Sequence, residues 1–367
     1  MRIKRLGLRN YRNCENVELT FPSKKTLIIG KNAQGKTNIL ESIYFLSDLK
    51  SPRTSTISDM IEFNKSQFEI SAEVEKHETE IELDYLYNLD KKRELKVNKV
   101  KTTPKEFKTV VKTVLFSTKD LLLLRGCPED RRNWLDRAIS QIYPAYDERL
   151  SKYDKIRIQK NNLLKNEVID EALFDIYNEQ LAIAGANIIY LRKKFLGEIE
   201  KIASNKHYNI SASEEFSANY TCPKCEVEEI LDYLKQELAE RRKEEFARRQ
   251  SCVGPHRDDI EFKINGKDAT KFASQGQQRT LVLSLKLSEL EIIKEKTGYY
   301  PILLLDDVLA ELDDKRQNYL LKSIDENTQT IITSVDTLLF EKEFLKDVTI
   351  YNIENGKIKV ELDEVEI

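Results

Sequence analysis

Gly30-Lys31-Asn32-Ala33-Gln34-Gly35-Lys36-Thr37 fits G-x-x-x-x-G-K-[ST], a spacing that lets a backbone curl around an anion. Glycines at both ends allow successive N–H groups to turn inward, and a helix starting just after them adds its positive end. Lys36 would then reach the β- and γ-phosphates of a nucleotide, and the Thr37 hydroxyl would ligate Mg²⁺. The implied chemistry is capture of a nucleoside triphosphate with its metal.

A partner for that loop stands far along the chain, in "ILLLDDVLAELDD" at 302–314. An apolar strand carries Asp306 to its polar end, where a carboxylate holds the Mg²⁺ shell. Asp307 follows, placed to orient or deprotonate an attacking water. A third segment, "FASQGQQRTLVLSLKLSEL" at 272–290, sets Ser274 and Gly276 just before a long helix, with Gln277 and Gln278 at its start. A serine hydroxyl and free N–H groups at a helix N-terminus make a second anion site, or else a capped helix needing no ligand. One chain's γ-phosphate is already held by Lys36, so a second site makes sense if it grips the nucleotide of another subunit.

These residues need a frame. "TLIIG" is an apolar run ending in glycine, followed by the helical spacing Ile39, Leu40, Ile43, Tyr44, Leu46, so strand, loop and helix come in order. Around it, Val17, Leu19 and Phe21, then Phe68 to Val74, then Ile81 to Tyr87 alternate with polar residues, predicting an antiparallel meander with one wet face. "VVKTVLF" at 110–116 closes this β-rich part. From about 128 to 250 the period is helical, with a helical hairpin expected over 145–166 and 170–205. After 250 the alternation returns: Ile260, Phe262 and Ile264 run into the tight-turn pair Asn265-Gly266. A long helix over 277–296 and the buried strands "PILLLDD" and "TIITSV" complete the pattern. A sheet that starts near the N-terminus and finishes near the C-terminus implies an α/β domain interrupted by a helical insertion.

Bulk properties exclude several classes. With 367 residues, 40% apolar and 34% charged, the chain supports more than one core and a highly charged surface. No apolar run reaches membrane-spanning length and the N-terminus lacks a signal-peptide block, so a cytoplasmic protein without a membrane partner is expected. Five scattered cysteines fit a reducing compartment, and the single C-x-x-C, Cys222 with Cys225, falls short of zinc's four ligands. A net charge of −3 leaves any DNA contact to local basic clusters. Candidates are Arg2, Lys4, Arg5, Arg9 and Arg12; Lys91, Lys92 and Arg93; and Arg241, Arg242, Lys243, Arg248 and Arg249. Glu240, Glu244 and Glu245 interleave the last, and mixed helical charge is usually a solvated face. "GPHRDD" is ambiguous in the same way, since His256 and Arg257 either act or pair with Asp258 and Asp259.

"SQGQQ" resembles the signature motif of ABC-type ATPases, and the step from Asp306 to Asp313 matches that group's magnesium Asp and D-loop Asp. The likeness is closer still to the RecF family of the SMC-like branch. "GKNAQGKTNILESIYFLS", "KSPRT", "LLLLRGCPEDRRNWLD", "GPHRDD", "SQGQQRTLVLSLKLSELEII" and "PILLLDDVLAELDDKRQ" resemble its segments in order, and the strand "IKRLGLRNYRN" extends the match to most of the chain. The resemblance implies an ABC-type P-loop ATPase lobe with a mixed β-sheet and meander, over 1–125 and 251–367, plus an inserted helical lobe over 126–250. It also implies a slow ATPase that dimerises with ATP and releases DNA when it hydrolyses. The expected substrate is gapped or single-strand/double-strand junction DNA, in recombinational repair, replication and the SOS response. RecO and RecR are the implied partners, with RecA as the recombinase loaded.

Carried over by position, Gly30 to Thr37 hold the phosphates with Asn38 beside them, while Thr37 and Asp306 serve Mg²⁺. Lys36 and Asp307 are the catalytic candidates. Ser274, Gly276 and Gln277 act in trans, Asp313 lies at the dimer seam, and Arg53 approaches the nucleotide. The chain departs from the ABC pattern in three places: Asp307 replaces the usual Glu, Ser117 stands where a Q-loop glutamine is usual, and no histidine follows "TIITS". Thr333, Ser334 or Asp336 must then serve as the switch, and ATP works more as a timed clamp than as fuel. The alternative is the nucleotide-binding subunit of another ABC-type machine. A transport subunit is disfavoured by the meander, an SMC-like linker by the lack of long coiled-coil arms, and a P-loop kinase or GTPase by "SQGQQRT".

Overall fold

The computed structural model describes residues 1–362 except Glu78 and Lys91, so Lys91 of the second basic cluster lies outside the described residues. The chain divides into two compact units, Met1–Asp120 with Lys286–Ile367, and Leu121–Leu285.

The first unit holds two sheets. Strands β1 (Arg2–Tyr11), β2 (Cys14–Thr20), β4 (Gln67–Lys76), β5 (Thr79–Asn88), β6 (Arg93–Val97) and β7 (Val100–Lys101) pair antiparallel in the order β2-β1-β4-β5-β6-β7. This is the meander expected from the period-two alternation: Phe68, Ile70, Ala72 and Val74 face inward while Glu69, Ser71 and Glu73 lie on the other face. The second sheet contains β3 (Lys25–Ile29), β8 (Thr113–Ser117), β12 (Ile302–Asp306), β13 (Thr330–Ser334), β14 (Val348–Glu354) and β15 (Lys357–Leu362), ordered β15-β14-β3-β13-β12-β8. All neighbours except β14 and β15 run parallel. The strands β3, β12 and β13 are short continuous apolar runs because helices and the meander cover them. Helix α1 (Lys36–Asp48) packs into one core with both sheets, where Phe45 meets Tyr85 edge-on at 4.8 Å between ring centres and Phe68 stacks on Tyr85 at 5.7 Å.

The second unit contains α2 (Pro128–Ile142), α3 (Tyr146–Leu164), α4 (Glu171–Ser211), α5 (Val227–Glu240) and α6 (Arg242–Arg248). The hairpin of α3 and α4 follows the sequence periodicity, but the region is not helical throughout. Phe216–Tyr220 forms β9, which pairs antiparallel with β10 (Ile260–Ile264), itself paired with β11 (Lys267–Asp268). Its five residues alternate Phe216, Ala218 and Tyr220 inward, a signal too short to stand out among long helices. Because β10 pairs with β9, residues 251–285 fall in the second unit, where the sequence had suggested a return to the first. The open edge of β9 is closed by α4, whose Glu200 accepts the Ala218 N–H and whose Ser204 donates to the Phe216 carbonyl.

"GPHRDD" is tied down internally. Asp259 takes both guanidinium arms of Arg131, Asp258 accepts from the Tyr220 hydroxyl, and His256 Nδ1 lies 2.6 Å from the Tyr153 hydroxyl. Arg192, 3% exposed, joins Asp136, the Tyr220 hydroxyl and the Pro255 carbonyl. A buried cation needs that many acceptors, and residues of "RGCPEDRRNWLD" and "GPHRDD" meet there in one polar core. Two further long helices are α7 (Gln275–Thr297) and α8 (Asp314–Ser323).

Candidate nucleotide site

The loop 30–37 leaves the carboxyl end of β3 and enters α1 at Gly35, the usual ligand position of a parallel sheet. Gly35 holds φ +112°, and a Cβ there would sit 2.8 Å from Asn13 Oδ1. Gly30 likewise passes so close to the Ile353 carbonyl that a side chain would clash. No side chain caps α1, which leaves its first-turn amides without a side-chain acceptor, the arrangement that suits an anion. Lys36, only 3% exposed, turns its Nζ back onto the carbonyls of Gly30 at 2.6 Å and Lys31 at 3.3 Å. Lys31, Asn32 and Ala33 are exposed, with Ala33 at φ +65°.

The magnesium candidates meet directly. Thr37 Oγ1 donates to Asp306 Oδ1 at 2.9 Å, and Thr333 Oγ1 donates to the same oxygen at 3.0 Å. Parallel register explains this: Asp306 at the end of β12 stands opposite Thr333 of β13 and Ser117 of β8. Burial raises the Asp306 pKa above its ordinary 3.8 and neighbouring Asp307 adds to it, while the two hydroxyls and Arg53 oppose them. A half-buried carboxylate beside a hydroxyl, with a second carboxylate adjacent, is a donor set suited to a hard divalent cation, so the residues fit Mg²⁺. Asp307 adopts a left-handed backbone, φ +51°, and its N–H donates to Thr333 Oγ1 at 2.9 Å. Of Thr333, Ser334 and Asp336, Thr333 is the residue that touches both aspartates.

Arg53 lies at the edge of this group. Its Nη1 donates to Asn38 Oδ1 at 2.5 Å and sits 3.3 Å from Glu41 Oε2. Glu41, 1% exposed on α1, also receives Arg12 through two bonds of 3.0 and 2.6 Å. Lys36, Thr37, Asn38, Arg53, Asp306 and Asp307 are thus gathered at one end of the parallel sheet.

Three residues of the site escape sequence reasoning. Asn13, in the β1–β2 turn, accepts from Asn38 Nδ2 at 2.7 Å and donates to the Gln34 carbonyl at 3.3 Å. Asn355 and Gly356, in the β14–β15 turn, donate their N–H groups to the Gln34 side chain and carbonyl at 2.7 and 2.8 Å. Two hairpin turns therefore brace the outer side of the loop. The Asn-Gly pair at 355–356 was a readable turn signal, but nothing local tells which loop it supports.

The trans candidates form a group of their own. Ser274 precedes α7 and shares a reciprocal cap with Gln277: Ser274 N–H donates to Gln277 Oε1 at 2.8 Å, and Gln277 N–H to Ser274 Oγ at 3.2 Å. Gln277 Nε2 also reaches Glu214 at 2.7 Å. Gly276 follows in the first turn, half-buried. Ser274 remains exposed, and its O–H has no acceptor among the described residues. Asp313 caps α8 through the Arg316 N–H and pairs with the Arg316 guanidinium.

Two of the three basic clusters are largely held in ion pairs and hydrogen bonds. Arg5 contacts Glu18 and Glu73, Lys4 contacts Glu75 and Glu80, and Arg9 contacts Glu69, forming a ladder over the outer face of the meander. On the helical stretch, Arg241 and Arg248 share Glu244, while Arg242 takes Glu171 and Asp175. Arg249 donates to the Leu164 and Asn166 carbonyls. No helix among the described residues is long and apolar enough to cross a membrane.

Comparison with known proteins gives a consistent result. The family model described as RecF/RecN/SMC N terminal domain matches residues 2–359. The DNA replication and repair protein RecF of Bacillus cereus (strain G9842) is 39% identical over 376 residues, covering 99% of this chain and all of that protein. Two solved structures of the recombination mediator protein RecF in the RecFOR pathway are also similar. The one with ATPrS matches at TM-score 0.91, 34% identity and 98% of both chains. The one with ATP matches at TM-score 0.90 and 35% identity, over 97% of this chain and 96% of that one.

Proposed function

The chain belongs to the RecF family of DNA replication and repair proteins, and from that premise we propose that it is an ATP-gated clamp on gapped or junction DNA. As a member it is an ABC-type ATPase that binds ATP. Lys36 and the α1 amides hold the phosphates, and Thr37 with Asp306 would hold Mg²⁺. The metal would supply charge neutralisation across the β- and γ-phosphates. Asp307, held by Thr333, orients the water; being one methylene shorter than Glu, it does so slowly. Turnover faster than about 10 s⁻¹, a typical enzyme rate, is incompatible with a timed clamp.

The observation that carries the dimer is Ser274. Its oxygen already accepts the Gln277 N–H, and its exposed O–H is left for an outside acceptor. A γ-phosphate held by a second copy suits it, with Gly276 and Gln277 beside it and Asp313 at the seam. DNA is then bound by the closed pair, in the cytoplasm at the nucleoid. RecO and RecR act with it and RecA is loaded as a consequence.

The experiment is sedimentation of the wild type, Lys36→Arg and Ser274→Arg with ATP or ADP, with and without gapped duplex. Dimers are expected with ATP alone, absent in Ser274→Arg, with DNA binding tracking dimerisation. A wild type that stays monomeric with ATP and DNA overturns the reading.

A further inference from the structure

Glu214 lies against the cap that presents Ser274. Its Oε1 accepts the Gln277 Nε2–H at 2.7 Å, and its Oε2 lies 3.3 Å from Nε2 of His207, which is fully buried. The chain on either side holds this carboxylate in place. Helix α4 ends at Ala212 in the left-handed region, φ +72°, and the Ser211 hydroxyl accepts the Glu214 N–H at 3.1 Å. Asn265 then brackets Glu215, accepting its N–H at 2.9 Å and donating to its carbonyl at 2.8 Å.

The cap itself does not need Glu214, because Ser274 and Gln277 already satisfy each other's N–H groups. What the carboxylate adds is an orientation. It can only accept, so Gln277 must turn its NH2 toward Glu214 and its oxygen toward the Ser274 N–H. Two donors are thereby occupied: Gln277 Nε2 by Glu214, and the Ser274 N–H by Gln277 Oε1. Turning that one amide away would free both for an incoming phosphate oxygen. A hydrogen bond to an ionised acceptor is about twice as strong as one between neutral groups, so without a ligand the occupied arrangement is the favoured one.

We propose that Glu214 is a positioning residue that restrains pairing: by fixing the Gln277 amide it withholds two donors from the γ-phosphate of a second copy. The inference rests on the reading of Ser274 and Gln277 as the group that meets that phosphate. Closing a dimer requires Gln277 to leave Glu214 in both subunits, so the restraint counts twice in one dissociation constant. ATP capture by the loop 30–37 uses other residues, so losing Glu214 separates capture from pairing.

Sedimentation equilibrium of the full chain with ATP–Mg²⁺ tests this on wild type, Glu214→Gln and Glu214→Ala. ATP binding is measured alongside, at concentrations where the protein is monomeric. Glu214→Ala is expected to lower the dimer dissociation constant about tenfold while the monomer binds ATP within about twofold of wild type. Loss of a merely structural contact would weaken the dimer or leave it unchanged. Glu214→Gln, whose neutral amide oxygen still accepts from Gln277, is expected to fall between, with a gain of about threefold. A Glu214→Ala that pairs no more tightly than wild type overturns the inference. So does a Glu214→Gln that gains as much as Glu214→Ala, which would make bare charge the cause. Should Glu214→Ala not fold without its contact to His207, Glu214→Gln decides alone: a gain supports the inference and no gain overturns it. A wild type that stays monomeric with ATP overturns the reading beneath as well; dimers that ignore both substitutions overturn the inference alone.

Discussion

Thr333 Oγ1 donates to Asp306 Oδ1 at 3.0 Å while accepting the Asp307 N–H at 2.9 Å, so one hydroxyl orients both carboxylate residues of the site. Such a partner fixes a metal ligand without touching the metal, and losing one typically weakens metal function by about 10- to 100-fold. Thr333→Val is expected to raise the Mg²⁺ concentration for half-maximal hydrolysis by about that factor. Thr333→Ser, which keeps the hydroxyl, should stay near wild type. A Mg²⁺ titration of ATPase activity checks this, and equal loss in both variants would point to packing of the methyl instead.

Glu41 is the anchor of the phosphate-loop helix, because its buried carboxylate receives Arg12 through two bonds and Arg53 through a third. Glu41→Ala strands Arg12, whose side chain is only 17% exposed, and should lower unfolding stability by about 3 kcal/mol. Arg53, at 38% exposure, is worth less than about 1 kcal/mol to the fold. Arg53→Met is therefore a clean probe: its urea midpoint should barely move, so any loss of ATP affinity reports a contact with the nucleotide. A large drop in midpoint for Arg53→Met would contradict this division of roles.

The N-terminal basic residues make a surface lattice with glutamates of the same sheet, so they carry little free positive charge toward DNA. Affinity gained from phosphate neutralisation scales with the cations engaged, and so does its salt dependence. Arg5→Ala/Arg9→Ala is expected to leave affinity for gapped duplex within about twofold and the slope against log salt unchanged. Fluorescence anisotropy across a salt series decides it. A slope shallower by about two would assign these arginines to the DNA.

Much of the sheet was legible because alternation and apolar runs are local properties: "TLIIG", "PILLLDD" and "TIITSV" each became a strand of the parallel sheet. Thr37 and Asp306 were legible as a pair because the same chemistry demands both residue types. What was not legible depends on contacts across long stretches of chain. Asn13 and Gly356 meet Gln34 from turns at opposite ends of the sequence, and β9 is a strand because β10 offers it an edge. The pairing of the basic clusters was hidden for the same reason. Sequence shows Arg5, but register alone shows that Glu18 and Glu73 stand near it.

His256 gives the fold a defined acid sensitivity. Burial pushes its pKa from 6.5 to about 3, and cationic Arg157, Arg257 and Arg132 nearby add to this, while the hydrogen bond to the Ser251 carbonyl opposes them. The sign follows from proton counting. Below pH 6.5 the unfolded chain binds a proton that the folded ring refuses, so stability is full above 6.5 and falls as pH drops toward 3. Each unit in that window costs about 1.4 kcal/mol, so moving from pH 7 to pH 5 should remove about 2 kcal/mol through this ring alone. Urea unfolding of wild type and His256→Asn at both pH values isolates it. The variant starts less stable, having disturbed the contact with Tyr153, yet its loss between pH 7 and pH 5 should be smaller by about 2 kcal/mol. Identical losses in the two proteins would mean that the folded ring takes up its proton as readily as the unfolded one.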